Sequence, residues 1–83
     1  MPATVTLVTR EGCHLCDAAR EIVTAVVAET DAVTLVELSI DDDPRLAARY
    51  AEEIPVVLIN DRVHNIWRVN ADRLRDALQE ATK

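Results

Sequence analysis

Two cysteines, Cys13 and Cys16, are the only ones among 83 residues, and only His14 and Leu15 separate them. Cys-x-x-Cys sets two sulfurs one helical turn apart, close enough to join as a disulfide with modest rearrangement. The same spacing supplies half of a tetrahedral zinc site, and two thiols can also pack as small, inert apolar groups. Redox exchange, metal binding and passive packing are therefore the chemistries open to the pair. Position along the chain separates them.

Thr4 to Thr9 mixes β-branched Thr and Val with Leu7 and reads as a strand, which Arg10-Glu11-Gly12 breaks. From about Cys13 to Glu29 apolar residues recur at spacings of three and four, at Leu15, Ala19, Ile22 and Val26. Val23 and Val27 widen that stripe, which predicts a heavily buried amphipathic helix. The cysteines thus fall where a strand runs into a helix. There the unpaired N–H groups and the helix dipole favour a thiolate over a thiol. Cys13, at the helix start, reads as the exposed nucleophile. Cys16, one turn in, reads as the shielded resolving thiol that attacks the mixed disulfide between Cys13 and a substrate.

The other two chemistries fit less well. Zinc needs four ligands, and the remaining soft candidates are His14 and His64. His14 lies inside the motif, poorly placed to share a tetrahedron with both cysteines. No second cysteine pair exists for a metal, and an iron–sulfur cluster shared between subunits ranks lower still. Inert packing would set two thiols against the unsatisfied N–H groups of a helix start.

The remaining elements must hold that junction in place. Thr30-Asp31-Ala32 turns the chain, and Val33 to Ser39 reads as a second strand. Asp41, Asp42 and Asp43 read as a solvated loop, with Asp43 capping a short helix from Pro44 to about Glu52. Val56-Val57-Leu58-Ile59 is an unbroken apolar run, as expected of a strand covered on both faces. Asn60-Asp61 is a tight-turn pair leading to a fourth strand near Val63 to Val69. Asn70 can cap a last helix that carries Leu74, Ala77, Leu78 and Ala81 on one face. The order βαβαββα predicts one α/β domain over residues 1–83, with a parallel βαβ unit and a hairpin combined in a four-stranded mixed sheet flanked by helices.

Composition narrows the function classes. Hydrophobic residues make up 49% of the chain, with no Phe, one Trp and one Tyr, so the core must be aliphatic. The net charge of −6 and the lack of a Lys/Arg cluster argue against nucleic acid and anionic membranes as partners. No stretch approaches the ~20 apolar residues of a membrane helix, and Met1-Pro2-Ala3-Thr4 lacks the pattern of a signal peptide. A cytoplasmic location is expected. In a reducing compartment a structural disulfide gains little, which again favours redox or metal chemistry.

Thr6-Leu7-Val8-Thr9-Arg10-Glu11-Gly12-Cys13-His14-Leu15-Cys16 resembles the strand, basic residue, glycine and Cys-x-x-Cys with which glutaredoxins of the thioredoxin superfamily begin. Glu53-Ile54-Pro55-Val56-Val57-Leu58-Ile59 is similar to the segment that carries the family's cis-proline. The likeness spans essentially the whole chain and is greatest to short bacterial glutaredoxin-like proteins. It implies a thioredoxin-like, glutaredoxin-type fold, with Cys13 as nucleophile and Cys16 as resolving thiol. It also implies that the Ile54 backbone, before a cis Pro55, pairs with an extended substrate. Arg10 matches the basic residue that assists the thiolate or a glutathione carboxylate. Taken alone, Pro55 suits a trans proline opening a strand, and Arg10 a solvated charge. His14 reads as an exposed side chain that tunes the thiolate when its imidazole is charged. Trp67 reads as core or rim, with a weaker claim to a substrate groove.

The departures concern glutathione. The Gly-Gly and acidic cap that hold its γ-glutamyl end in glutaredoxins are replaced by His64-Asn65-Ile66-Trp67-Arg68-Val69-Asn70, which has no glycine. The aromatic residue common beside the cysteines is also missing. The expected activity is reduction of protein or small-molecule disulfides, with no metal or organic cofactor. Glutathione or another low-molecular-weight thiol is the candidate cosubstrate, and an upstream reductase or thiol resets the pair. The alternative is a non-catalytic module of the same fold that docks a partner through the groove at Pro55.

Overall fold

The computed structural model describes residues 1–83. Strand β1 (Ala3–Thr9) leads to helix α1 (His14–Ala28), strand β2 (Val33–Ser39), a short 3-10 turn (Ile40–Asp42) and helix α2 (Pro44–Tyr50). Strand β3 (Val56–Ile59), strand β4 (Arg62–Ile66) and helix α3 (Ala71–Ala81) complete the chain. The sheet order is β2-β1-β3-β4, with β1 parallel to β2 and antiparallel to β3, and β3 antiparallel to β4. This is the mixed four-stranded α/β arrangement that the element order predicts.

Alternation along β1 and β3 divides the core between two faces. Val5, Leu7 and Val57 pack with Ala19, Val23 and Val26 of α1 and with Leu74 and Leu78 of α3. Val8, Val56 and Leu58 point the other way and meet Ile40, Tyr50, Ile54 and Cys16. Val56, Val57 and Leu58 are all buried, as a strand covered on both faces requires. Aliphatic groups fill nearly all of this interior, with Tyr50 the one aromatic ring inside it.

The details that differ from the sequence reading have local causes. Leu15 stays exposed and Cys16 takes the buried place, so the inward stripe of α1 is Cys16, Ala19, Val23 and Val26. The acidic run forms the 3-10 turn: Ser39 Oγ caps it by accepting the Asp41 N–H at 3.1 Å. Helix α2 stops at Tyr50, where the Glu53 N–H donates to the Tyr50 carbonyl at 2.8 Å just ahead of the Ile54–Pro55 peptide. That approach to a proline disfavours further helix. Strand β4 ends at Ile66, because Trp67 adopts φ 65°; its N–H still donates to the Pro55 carbonyl at 2.8 Å, in register with the β3–β4 pairing. Asn60 and Asp61, at φ 50° and 67°, form the tight turn between β3 and β4.

Truncating Leu74, which is 0% exposed, to alanine should cost about 2–5 kcal/mol in urea denaturation. The same change at Leu15, 41% exposed, should stay within about 0.5 kcal/mol.

Candidate active site

The two cysteines sit at the seam where β1 hands the chain to α1. Gly12 bends the connection with φ 75°, a conformation that would strain any residue with a side chain. Cys13 follows as the N-cap of α1, a position usually held by Ser, Thr, Asp or Asn. Its sulfur does the work of the usual oxygen: the Cys16 N–H donates to Cys13 Sγ at 3.2 Å. The sulfur therefore sits at the N-terminal, positive end of the dipole of a 15-residue helix. Cys13 is half-buried, Cys16 is fully buried, and both are free thiols.

Burial pushes the Cys16 thiol up to about 11, and its contact with Cys13 adds to the rise. The Arg10 backbone and the Arg20 guanidinium act in the opposite direction. Cys16 is thus held neutral at ordinary pH beside a more accessible partner. This asymmetry is what a nucleophile and a reserve thiol need.

Four side chains brace the junction, Asp41, Arg20, Glu37 and Thr9; from the sequence Asp41 reads only as part of a solvated loop, and none of the four reads as part of the site. Asp41 Oδ2 accepts the Glu11 N–H at 2.9 Å and the Ser39 hydroxyl at 3.3 Å, which ties the turn ahead of Cys13 to the end of β2. Arg20, one turn beyond Cys16, makes a bidentate pair with Glu37 at 2.7 and 2.8 Å and reaches Asp17 at 2.9 Å. The buried Thr9 donates its hydroxyl to the same Glu37 at 3.2 Å. The Arg20 hydrogen bonds hold the Glu37 carboxyl below the usual carboxylate range against the opposing effect of burial. The signal for Arg20 was its i, i+4 spacing from Cys16; its pairing with Glu37 needs the β1–β2 register, which spacing alone does not reveal.

The Ile54–Pro55 peptide is cis, as the resemblance implies, and both residues are buried. Ile54 belongs to the same apolar cluster as Cys16, with Cys13 packed against it. Arg10 and His14 are exposed, and the Arg10 side chain makes no ion pair within the chain. His64 lies on β4 among Ile59, Asn60, Arg62 and Val63, away from the cysteines, and burial lowers its pKa. No three His, Cys, Asp or Glu side chains come together to hold a metal ion. No helix is long and apolar enough to cross a membrane.

The family model described as "Glutaredoxin-like domain (DUF836)" matches residues 4–79. An uncharacterised protein of Mycobacterium tuberculosis is 33% identical over 82 residues, covering 94% of this chain and 84% of its own. A "glutaredoxin-like protein" of Dictyostelium discoideum is 31% identical over 71 residues, covering 80% of this chain and 66% of its own. Among solved structures, a protein from X. campestris superposes with a TM-score of 0.73 at 33% identity, covering 92% of this chain and 96% of that one. A thioredoxin from Halobacterium salinarum reaches a TM-score of 0.76 at 16% identity, over 98% of this chain and 75% of its own, which speaks to the fold.

Two outcomes test the electrostatics. In the reduced protein at about pH 8, iodoacetamide followed by mass analysis should label Cys13 well before Cys16. Because folding raises the Cys16 pKa from 9.0 to about 11, its contribution to stability is complete below 9.0 and is lost as pH climbs between the two. Equal labelling rates at both cysteines would contradict the burial of Cys16. Glu37 has the opposite sign, since its lowered pKa stabilises the fold above the usual carboxylate range. Glu37→Gln should lower Tm near neutrality, and the gap to the native chain should close as pH falls below roughly 4.

Proposed function

The chain belongs to the glutaredoxin-like domain family (DUF836), and from that membership we propose that it is a thiol–disulfide oxidoreductase working through Cys13 and Cys16. One observation carries the reading: the Cys13 sulfur caps α1 by accepting the Cys16 N–H, while Cys16 itself is fully buried. A structural cysteine pair has no need of this asymmetry, whereas sequential attack by two thiols depends on it.

In the proposed cycle the Cys13 thiolate attacks one sulfur of a substrate disulfide. The substrate S–S bond breaks, its other sulfur leaves as a thiolate and takes up a proton, and Cys13 is left in a mixed disulfide. Cys16 then gives up its proton and attacks the Cys13 sulfur, which expels the second substrate thiolate. Two electrons pass from the dithiol to the substrate, and a Cys13–Cys16 disulfide remains. An upstream reductase or a low-molecular-weight thiol returns it to the dithiol in a reducing compartment such as the cytoplasm. Arg10 and His14, exposed and flanking the nucleophile in the chain, and the buried pair Ile54–Pro55, whose Ile54 shares an apolar cluster with Cys16, are the proposed substrate contacts. No metal or organic cofactor enters the scheme.

Cys13→Ser should abolish disulfide reduction, and Cys16→Ser should stop the cycle at the mixed disulfide. Non-reducing mass analysis of Cys16→Ser after exposure to a disulfide substrate should show a covalent adduct on Cys13. An intact Cys13 that forms no adduct would count against the mechanism.

A further inference from the structure

Leu15 and Trp67, 41% and 52% exposed, line one groove between α1 and the segment that joins β4 to α3. Leu15 directly precedes Cys16 on the first turn of α1, and Ala18 and Ile22 continue that wall along the helix. Trp67, Arg68 and Val69, between β4 and α3, form the other wall. Apart from Arg68 the lining is apolar, and the enclosed space is about 220 Å³. Sites that hold a whole small molecule usually measure ~300–1,000 Å³, so this one has room for a single side chain.

The Trp67 wall is fixed in advance. Trp67 occupies the left-handed region at φ 65°, where a bulky residue is strained and persists only when its surroundings impose it. Two hydrogen bonds impose it here: its N–H donates to the Pro55 carbonyl at 2.8 Å, and its indole Nε1–H to the Glu52 carbonyl at 3.1 Å. Both partners lie on the loop that ends in the Ile54–Pro55 peptide. One wall of the groove therefore begins at the residue before Cys16, and the other is hydrogen-bonded to the proline loop. Rigid placement of an exposed indole lowers the entropic cost of binding an apolar group against it.

Arg68 adds a charge requirement. Its guanidinium forms no ion pair, as is also true of Arg10, Arg49, Arg62 and Arg73, but it is the one charged group that lines the groove. The Asn65 side-chain amide donates to the Arg68 carbonyl and anchors its backbone. An unpaired, forked cation at the rim of an apolar slot suits a carboxylate on the incoming partner.

We propose that this groove selects polypeptide disulfides: it receives the apolar side chain next to the target cysteine, and Arg68 binds an acidic residue beside it. The proposal rests on the oxidoreductase reading and gives that reading a substrate class, a protein disulfide in an apolar and acidic setting. Small disulfides such as oxidised glutathione, which carry carboxylates and no apolar side chain, would leave the slot empty.

The test compares second-order reduction rates of three disulfides by the pre-reduced protein. One is a peptide with Leu and Glu flanking its disulfide, the second has Ser and Lys in those places, and the third is oxidised glutathione. The Leu/Glu peptide should react at least tenfold faster than either of the others. Leu15→Ser, on the exposed face of α1, should bring the ratio of the two peptides to within about threefold. Arg68→Gln should reduce the preference for Glu over Lys and leave the preference for Leu over Ser. Trp67→Ala, if folded, should match Leu15→Ser. Equal rates on both peptides, or fastest reaction with oxidised glutathione, would overturn the groove proposal while the redox reading stands. Failure to reduce any of the three would overturn both.

Discussion

The candidate site turns on a sulfur used as a helix cap. At the head of α1 the donor of Cys16 meets the sulfur of Cys13, so a single hydrogen bond starts the helix and sets the relation between the two thiols. A serine in that place would cap as well and carry no redox chemistry; a cysteine elsewhere would lose the field of the helix end. The cap also decides depth. Cys13 stays at the rim because an N-cap lies outside the helix, and Cys16, three residues on, turns into the apolar cluster formed by Val8, Ile40, Ile54 and Val56.

Everything around that cap keeps it still. Parallel pairing of β1 with β2 brings Glu37 to the side of α1, where Arg20 and Thr9 meet it. The antiparallel pairing of β1 with β3 sets Val56 opposite Val8, which draws the Ile54–Pro55 loop up to the cysteines. Asp41 closes the third side by holding the Glu11 N–H. The ion pairs among these groups are exposed and contribute modestly to stability. Their geometric role is larger, since a thiol that must attack a neighbouring sulfur depends on placement. An interior made of Val, Leu, Ile and Ala, packed on both faces of the sheet, gives the rigidity that such placement needs.

Much of this was legible from residue order because the signals are local. The change from period two to period three or four at Gly12 announced the strand-to-helix junction. Asp43-Pro44 marked a helix start, and Asn70 caps α3 by accepting the Arg73 N–H at 3.0 Å. The non-local features stayed hidden. The aspartates look like a solvated loop until the fold carries Glu11 to Asp41. Leu15 fits a helical stripe as well as Cys16 does, and only the position of β3 and α2 decides which one turns inward. Trp67 continues an apolar strand pattern on paper, whereas its left-handed backbone, at φ 65°, ends the strand, and its indole N–H reaches back to the Glu52 carbonyl.

The central claim is that Cys13 and Cys16 form one reversible redox couple, and equilibrium titration tests it most directly. Purified protein would be equilibrated in graded mixtures of reduced and oxidised dithiol, quenched in acid and alkylated, and the free thiols counted by mass. A single two-electron transition between a dithiol and a Cys13–Cys16 disulfide, with no oxidised species in Cys13→Ser other than mixed disulfides, is the predicted result. Two thiols that remain reduced across the whole range would contradict the account and leave the cap as a purely structural feature.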